Sequence, residues 1–227
     1  MKISKRLVSL AALVDEKDIL ADIGCDHALL DIYLVKNKIV SKTLACDINE
    51  SALNSGIFNI KKHHLEPYIE TKLGNGIEVI NDDINTLIIS GMGTSTICKI
   101  LSCPKVKQIK KIIVESNNNY YDLRKFICGL GFYISYEEVV LDAGKFYVNI
   151  IFLKGMQKYS KKEFRYGPVL MKNKNNSDYY EFLYQKNLSI LNKIPKNKFL
   201  IRYQIIKENR FIKKLIKKPN SINKVKI

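Results

Sequence analysis

The sequence predicts an α/β protein with a doubly wound parallel sheet, followed by an α-helical hairpin. Short apolar segments alternate with amphipathic ones through most of the chain, as strands and helices do in such a sheet. Polar or glycine-bearing turns follow the apolar segments, and the composition then becomes basic. We therefore expect a sheet domain at residues 1–156 and a basic helical domain at 157–227, whose tail from about 219 is disordered.

The first element is a helix that Ser4 caps, because the apolar residues from Leu7 to Val14 recur at helical spacing. Strands are predicted at about 18–22, 41–48, 68–72, 86–90, 110–115, 134–141 and 145–153. Further helices are predicted at about 27–37, 50–64, 94–101 and 120–129. The last two strands form an antiparallel pair, since Asp142-Ala143-Gly144 is a turn sequence.

The end of the chain predicts two basic helices. Apolar residues have helical spacing over residues 178–193 and 197–218, and Ile194-Pro195-Lys196 separates the two segments. An antiparallel hairpin is the simplest arrangement for two such helices.

Charge is distributed very unevenly along the 227 residues. The net charge is +16, yet residues 1–150 hold 18 Lys and Arg against 18 Asp and Glu. Residues 151–227 hold 20 basic and only 4 acidic residues. A genome-wide bias toward lysine would not spare the first 150 residues, so the pattern favours a helical domain that binds a polyanion.

The N-terminus resembles a weak signal peptide, since Lys2, Lys5 and Arg6 precede an apolar run. Acidic residues follow that run without a cleavage site, and no stretch is long enough to cross a bilayer. The five cysteines are odd in number and form no C-x-x-C pair, which favours reduced thiols. We therefore expect a cytoplasmic protein without a membrane contact. We expect no metal, because only three histidines are present.

The segment Leu20–Leu30, LADIGCDHALL, is the predicted centre of a ligand site. Asp22 closes the first strand, and Asp47 follows the second strand at the interval where an acid binds ribose hydroxyls in nucleotide-binding sheets. Neither G-x-G-x-x-G nor a P-loop is present, so a pyrophosphate is not expected. A cofactor with ribose and adenine but no phosphate fits better, and S-adenosylmethionine is the common one. Asn75 is placed to contact its adenine.

Several motifs resemble one known family. They are D-I-G-C-D-H-A at 22–28, G-N-G-I-E-V-I at 74–80 and S-G-M-G at 90–93, with S-K-R-L at 4–7 and Y-G-P-V-L at 166–170. Over residues 3–218 the chain resembles bacterial tRNA methyltransferases that modify N1 of adenine 22. This resemblance implies a Rossmann-like class I methyltransferase domain, a helical C-terminal domain, S-adenosylmethionine as cofactor and tRNA as substrate.

The resemblance also implies roles for individual residues. The cofactor-binding residues would be Asp22, Gly24, Asp26 and His27 at the methionine end, Asp47 at the ribose, Ile48, Asn75 and Gly76 at the adenine, and Gly91, Met92 and Gly93 at the methyl group. The candidate catalytic residues are Gly91, Met92 and Asn117, together with Asp26. Asp26 is included on chemical grounds, because a carboxylate that accepts from the exocyclic amine would stabilise a cationic product, although orienting His27 or binding the cofactor fits it equally well. The chain departs from the family at Asn75, where an Asp is usual, and at Glu115-Ser116-Asn117, where Q-P-N is usual.

The basic hairpin is predicted to hold tRNA phosphates. The candidates are Lys193, Lys196, Lys198, Arg202, Arg210, Lys213 and Lys214. Tyr120, Tyr121 and Tyr147 are candidates to stack on a base, although packing is the more common use of such residues. We expect a monomer without a protein partner.

Two other functions fit the same residues. One is a methyltransferase that acts on another RNA or on a small molecule, and the basic hairpin argues against the small molecule. The other is a non-enzymatic RNA-binding protein with a decayed methyltransferase fold. The intact acid, glycine and asparagine residues at the expected turns argue against decay.

Overall fold

The computed structural model describes residues 3–217, so the predicted disorder from about 219 lies outside the described residues. The chain divides into two compact units between Tyr166 and Gly167. The segment between residue 156 and this division contains a short helix, Lys161–Tyr166, that belongs to the first unit.

The first unit is built on one seven-stranded sheet. Its strands are β1 Leu20–Ile23, β2 Thr43–Asp47, β3 Ile69–Leu73, β4 Thr86–Met92, β5 Lys111–Ser116, β6 Phe132–Asp142 and β7 Lys145–Lys154. Their order is β3-β2-β1-β4-β5-β7-β6. The first five strands are parallel, and β7 lies antiparallel between β5 and β6. The predicted doubly wound sheet is confirmed.

The helices follow the predicted alternation. In the first unit they are α1 Lys5–Ala11, α2 Leu29–Lys36, α3 Glu50–Lys62, α4 Thr94–Leu101, α5 Tyr120–Gly129 and α6 Lys161–Tyr166. In the second unit they are α7 Ser177–Lys193 and α8 Phe199–Ile216. Ser4 caps α1 as predicted, because its hydroxyl accepts a hydrogen bond from the Leu7 N–H.

The central strands carry the core. Leu87, Ile88 and Ile89 of β4 are fully buried, as expected for a parallel strand covered on both faces. On one face, Leu10 of α1 joins Leu34 of α2 in a cluster that includes Ile88. This packing fixes the carboxyl ends of the strands, from which the ligand-binding loops emerge.

The prediction that a helix begins at residue 27 is wrong. Asp26 and Ala28 have left-handed backbones, with φ of 49° and 53°, and α2 begins only at Leu29. The Ala28 N–H donates to the Cys25 carbonyl, which closes a turn instead of a first helical turn. Asp26 and His27 therefore lie on a loop, and its conformation rather than a helix N-terminus places their side chains.

The β4 strand is also longer than predicted, since it continues through Met92. Its register with β5 shifts between Ser90 and Met92, which marks a bulge at Gly91. Gly91 has φ of +75°, a conformation that glycine adopts without strain.

The second unit contains the predicted helical hairpin. Arg202 of α8 donates through Nη1 to the carbonyls of Leu191 (2.7 Å) and Ile194 (2.8 Å) at the end of α7. Farther from the turn between the two helices, the Asn187 side chain donates to Asn209 Oδ1 at 2.9 Å. The pairing of later α7 residues with earlier α8 residues makes the helices antiparallel.

Candidate cofactor and acceptor site

The loop between β1 and α2 folds onto the end of β2. The N–H groups of Gly24 and Cys25 both donate to the Cys46 carbonyl, at 2.8 and 3.0 Å. The Asp26 N–H donates to Asp47 Oδ2 at 3.1 Å. Asp26 and Asp47, which the sequence predicts as parts of one site, are therefore direct neighbours.

Asp47 joins this loop to two others. Its Oδ1 accepts from the Asn49 N–H at 2.9 Å, and its carbonyl accepts from the Gly74 N–H at 2.9 Å. Asn49 also caps α3, because its side chain accepts from the Ser51 and Ala52 N–H groups. The neighbouring Ile48 is an apolar side chain with 70% exposure, which is unusual for isoleucine. The carboxylate and an apolar surface thus lie together at the end of β2.

The segment after β3 has a tight backbone. Gly76 is buried with φ of +60°, and a Cβ there would lie 3.0 Å from the Ile100 side chain. The exposed Asn75 side chain donates from Nδ2 to Glu78 Oε1 at 2.9 Å. Because Gly74 bonds to Asp47, this segment lines the same end of the sheet as the acid.

Asn117 fixes the segment that ends β4. Its backbone N–H donates to the Met92 carbonyl at 2.8 Å, and its Nδ2 donates to the Gly91 carbonyl at 2.6 Å. Behind it, Asn118 Oδ1 accepts from the Thr94 N–H at 3.1 Å. The structure thus brings Asn117, which follows β5, onto the glycine-rich segment that follows β4.

Gly24 and Met92 face each other across the site. A Cβ on Gly24 would lie 2.0 Å from Met92 Cε, far inside contact distance, and Gly24 has φ of +79°. Glycine adopts this conformation without strain, and any larger residue would also have to displace the Met92 methyl group. The loops after β1 and β4 are therefore packed together, as one ligand site requires.

The Asp26 and His27 side chains are the exposed part of the site. His27 Nε2 lies 3.6 Å from Asp26 Oδ2, and both side chains are more than half exposed. Asn59 of α3 donates to the His27 carbonyl at 3.0 Å. His27 also borders an open groove of about 720 Å³ along α3.

Two buried carboxyl groups lie beneath the loop. Asp22 and Asp31 are 4% and 0% exposed, and burial raises the pKa of Asp22 well above its usual value, with Asp31 adding to the effect. Burial also raises the pKa of Asp31 to about 6, although Thr43 and Asp22 oppose the shift. Within residues 3–217, neither Asp31 oxygen has a hydrogen-bond partner. Sequence reasoning missed Asp31, whose only signal is an acid within the apolar run LLDIYLV.

Sequence reasoning also missed the role of Arg6. Its Nη1 lies 2.6 Å from Glu115 Oε2, and Glu115 is fully buried. A Cβ on Gly91 would lie 3.8 Å from the same Nη1, so this ion pair lies beside the bulge. The Arg6 guanidinium also lies 5.5 Å from the centre of the Tyr147 ring. The sequence feature that could have indicated this role is the position of Arg6 within the S-K-R-L segment.

The other two candidate tyrosines have packing roles. Tyr120 donates its hydroxyl to the Ser116 carbonyl at 2.6 Å, and Tyr121 lies edge-on to Phe164. Only Tyr147 of the three borders the Gly91 bulge through Arg6.

Most predicted phosphate contacts are exposed in the second unit. The exposed ones are Lys193, Lys196, Lys198, Arg210, Lys213 and Lys214. Arg202 differs, because it is only partly exposed and its guanidinium holds the end of α7. Hydrogen bonding to Tyr184 raises the pKa of Lys213.

In residues 3–217, no group of three His, Cys, Asp or Glu side chains is arranged to hold a metal ion. No helix in that range combines the length and apolarity needed to span a bilayer.

Cys25 and Cys46 are buried beside the site, and burial raises the pKa of the Cys46 thiol to about 12.

This sheet order, with glycine turns after β1 and β4 and an acid after β2, defines a class I methyltransferase fold. A family model described as "Methyltransferase domain" matches residues 3–151. The M. capricolum protein TrmK, solved with S-adenosyl-homocysteine, is 32% identical with a TM-score of 0.83, over 95% of this chain and 98% of that one. The chain belongs to the TrmK-like class I methyltransferases, as the motifs predicted.

Two other relatives agree with this assignment. The "tRNA (adenine(22)-N(1))-methyltransferase" of Bacillus subtilis (strain 168) is 31% identical over 150 residues, which are 65% of this chain and only 63% of that protein. A Streptococcus pneumoniae protein solved with S-adenosyl-L-methionine is 29% identical with a TM-score of 0.85, over 95% of this chain and 100% of that one.

Proposed function

We propose that the protein transfers a methyl group from S-adenosylmethionine to N1 of an adenine in tRNA, at position 22 by resemblance. The observation that carries this proposal is the direct joining of three loops at one end of the sheet. Asp26 bonds to Asp47, Gly24 packs on Met92, and Asn117 holds Gly91. Relatives of the same family carry the corresponding name or were solved with the cofactor.

The residues present fit S-adenosylmethionine. Asp47 would hold the ribose hydroxyls, with Ile48 and the Asn75-Gly76 segment at the adenine. The exposed Asp26 carboxylate and His27 imidazole on the same loop suit the polar methionine end. The cofactor supplies an electrophilic methyl group on a cationic sulfur.

The chain's own residues position the acceptor. Adenine N1 has a lone pair in the ring plane, so no covalent enzyme intermediate is needed. The Gly91–Gly93 segment forms a small surface for the base, and Asn117 fixes its carbonyls. The product ring is cationic, and the exposed Asp26 carboxylate is the candidate to offset that charge. Because N1 lies on the pairing edge, the base must be unpaired or flipped out.

The second unit would bind the tRNA backbone. Its exposed lysines and Arg210 supply the phosphate contacts, while Arg202 stabilises the hairpin that presents them. We assign methyl transfer to the first unit, which includes the predicted domain of residues 1–156, and RNA binding to the second unit, which begins at Gly167. A tRNA substrate also implies a cytoplasmic protein, which we propose acts as a monomer.

The direct test is methyl transfer from labelled S-adenosylmethionine to bacterial tRNA, with the product nucleosides identified by mass. We expect 1-methyladenosine. Transfer to a different nucleoside would show that adenine N1 is not the acceptor. No transfer despite measurable cofactor binding would reject tRNA as the substrate.

A matched pair of variants tests the site. Asp47→Ala removes the carboxylate, whereas Asp47→Asn keeps its shape and one acceptor. We expect both to weaken cofactor binding, measured by calorimetry, at least about tenfold, since each loses charge-assisted hydrogen bonds. The affinity for tRNA should remain nearly unchanged. Unchanged methylation by Asp47→Ala would overturn the assignment.

A further inference from the structure

Large apolar side chains are exposed on α8, where a soluble helix normally carries polar residues. Phe199 and Tyr203 are 74% and 60% exposed. Together with Ile206 they occur at helical spacings of four and three residues, so the three share one face. Contiguous exposed apolar surface of this kind marks an interaction site.

The same face continues as a row of cations. Arg210, Lys213 and Lys217 follow Ile206 at spacings of four, three and four residues, and all three are exposed. Lys213 Nζ lies 5.0 Å from the Tyr184 ring centre, which limits the positions of its long side chain. We call the face formed by Phe199, Tyr203, Ile206, Arg210, Lys213 and Lys217 the aromatic–basic stripe.

The stripe is not needed to hold the hairpin together. Asn209, Ile212 and Leu215 are the buried residues of α8. Arg202 makes the hydrogen bonds to the end of α7, and Asn209 bonds to Asn187. The buried contacts of the helix therefore come from other positions. Lys213 of the stripe lies against Tyr184 of α7, whereas Phe199 and Tyr203 are left exposed to a partner.

We propose that the aromatic–basic stripe binds a single-stranded segment of RNA, with the Phe199 and Tyr203 rings stacking on unpaired bases and the cations contacting phosphates. Aromatic side chains beside a row of cations are the features by which proteins hold single strands. The proposal rests on the proposed function, because it takes tRNA as the ligand, and it identifies unpaired nucleotides as what the stripe binds.

Charge favours RNA over a second copy of the chain. Residues 177–217 hold ten Lys and Arg but only three Asp and Glu. Two such basic surfaces would repel each other. When the surface binds a nucleic acid, its cations neutralise phosphates and counterions are released, which favours binding. Electrostatic repulsion therefore opposes self-association through this face, whereas the same positive charge favours RNA binding.

The test measures binding of the full-length protein to unmodified tRNA at several KCl concentrations, without cofactor. Phe199→Leu/Tyr203→Leu keeps apolar side chains and removes both rings. We expect at least about tenfold weaker binding with an unchanged salt slope, because stacking releases no counterion. Lys213→Gln/Lys217→Gln should instead reduce the salt slope by about 1 to 2. The matched control is Leu200→Ala, which removes an 81% exposed apolar side chain off the stripe and should bind as the parent does.

Two results would overturn the inference. One is parental tRNA affinity in Phe199→Leu/Tyr203→Leu, with helix content verified by circular dichroism. The other is a parent protein that sediments as a dimer and becomes a monomer in Phe199→Ala/Tyr203→Ala without a change in tRNA affinity. Methylation is measured separately. A protein that binds tRNA through the stripe but transfers no methyl group would refute the proposed function alone.

Discussion

Arg6 and Glu115 are 109 residues apart in the chain, yet the Arg6 Nη1 and Glu115 Oε2 atoms are 2.6 Å apart beside the Gly91 bulge. Glu115 is fully buried, and its Oε1 has no hydrogen-bond partner within residues 3–217. A buried carboxylate needs a nearby positive charge, because without one nothing offsets the free-energy cost of removing it from water. This pair therefore ties α1 to β5, the strand that Asn117 follows.

Replacing Arg6 with Met should lower the free energy of unfolding by about 3 kcal/mol, because it leaves the Glu115 carboxylate buried and unpaired. Urea denaturation at pH 7 measures the change. Arg6→Met/Glu115→Met should lose much less than the sum of the two single variants, since it removes both charges. Additive losses in this cycle would refute the coupling.

The Asp22 and Asp31 pair should make stability depend on pH. Burial raises the pKa of Asp31 to about 6 from an ordinary 3.8, so the folded state favours its protonated form. The stability that protonated Asp31 contributes is fully present below about pH 4 and is lost as the pH rises through 6. Asp31→Asn, which cannot ionise, should therefore gain stability relative to the parent between pH 4 and 7, on the order of 2 kcal/mol.

Denaturation at pH 4, 5, 6 and 7 checks that relation. Glu66→Gln, which changes an exposed acid, serves as the control and should leave the pH dependence unchanged. A constant difference between Asp31→Asn and the parent at every pH would show that Asp31 has the same pKa in the folded and unfolded states.

Gly24→Ala should damage the cofactor loop for two separable reasons. A Cβ would overlap Met92 Cε, and the φ of +79° strains any residue with a side chain. We expect a loss of about 1 to 2 kcal/mol in stability and a marked fall in cofactor affinity. Adding Met92→Ala removes the overlap but not the strain, so the double variant should recover part of the stability. Differential scanning calorimetry compares the three variants with the parent, and no recovery would exclude the overlap as a cause.

The sequence predicted the relationships that strand order alone imposes. Asp22 lies one residue before the end of β1 and Asp47 ends the neighbouring parallel strand β2, so their spacing in the chain was enough to place the following loops together. The glycine-rich segment after β4 was predicted for the same reason. The hairpin was predicted because Pro195 interrupts a helical pattern that continues on both sides.

Contacts between distant elements could not be predicted in this way. Helical periodicity shows which positions of α2 face the sheet, but not that Asp31 meets Asp22 there. The pairing of Arg6 with Glu115 depends on where α1 crosses the sheet, which no local pattern specifies. The start of α2 at Leu29 depends on two left-handed residues, Asp26 and Ala28, that are not glycines. Gly56 explains part of this turn, because a Cβ there would lie 3.2 Å from the Asp26 carbonyl.

Asn117→Ala should slow methyl transfer without weakening cofactor binding. The variant keeps the backbone hydrogen bond to Met92 but loses the side-chain bond to the Gly91 carbonyl, so the bulge becomes less fixed. The loss of one hydrogen bond of about 1 to 1.5 kcal/mol corresponds to roughly a tenfold fall in kcat. Asn117→Asp should be worse, since a carboxylate would face the carbonyl oxygen.

Asn118→Ala is the matched control, because it removes the bond to Thr94 instead and should affect stability more than kcat. Steady-state kinetics with both substrates varied separates kcat from KM, and an Asn117→Ala variant with parental kcat would show that the bulge needs no such support.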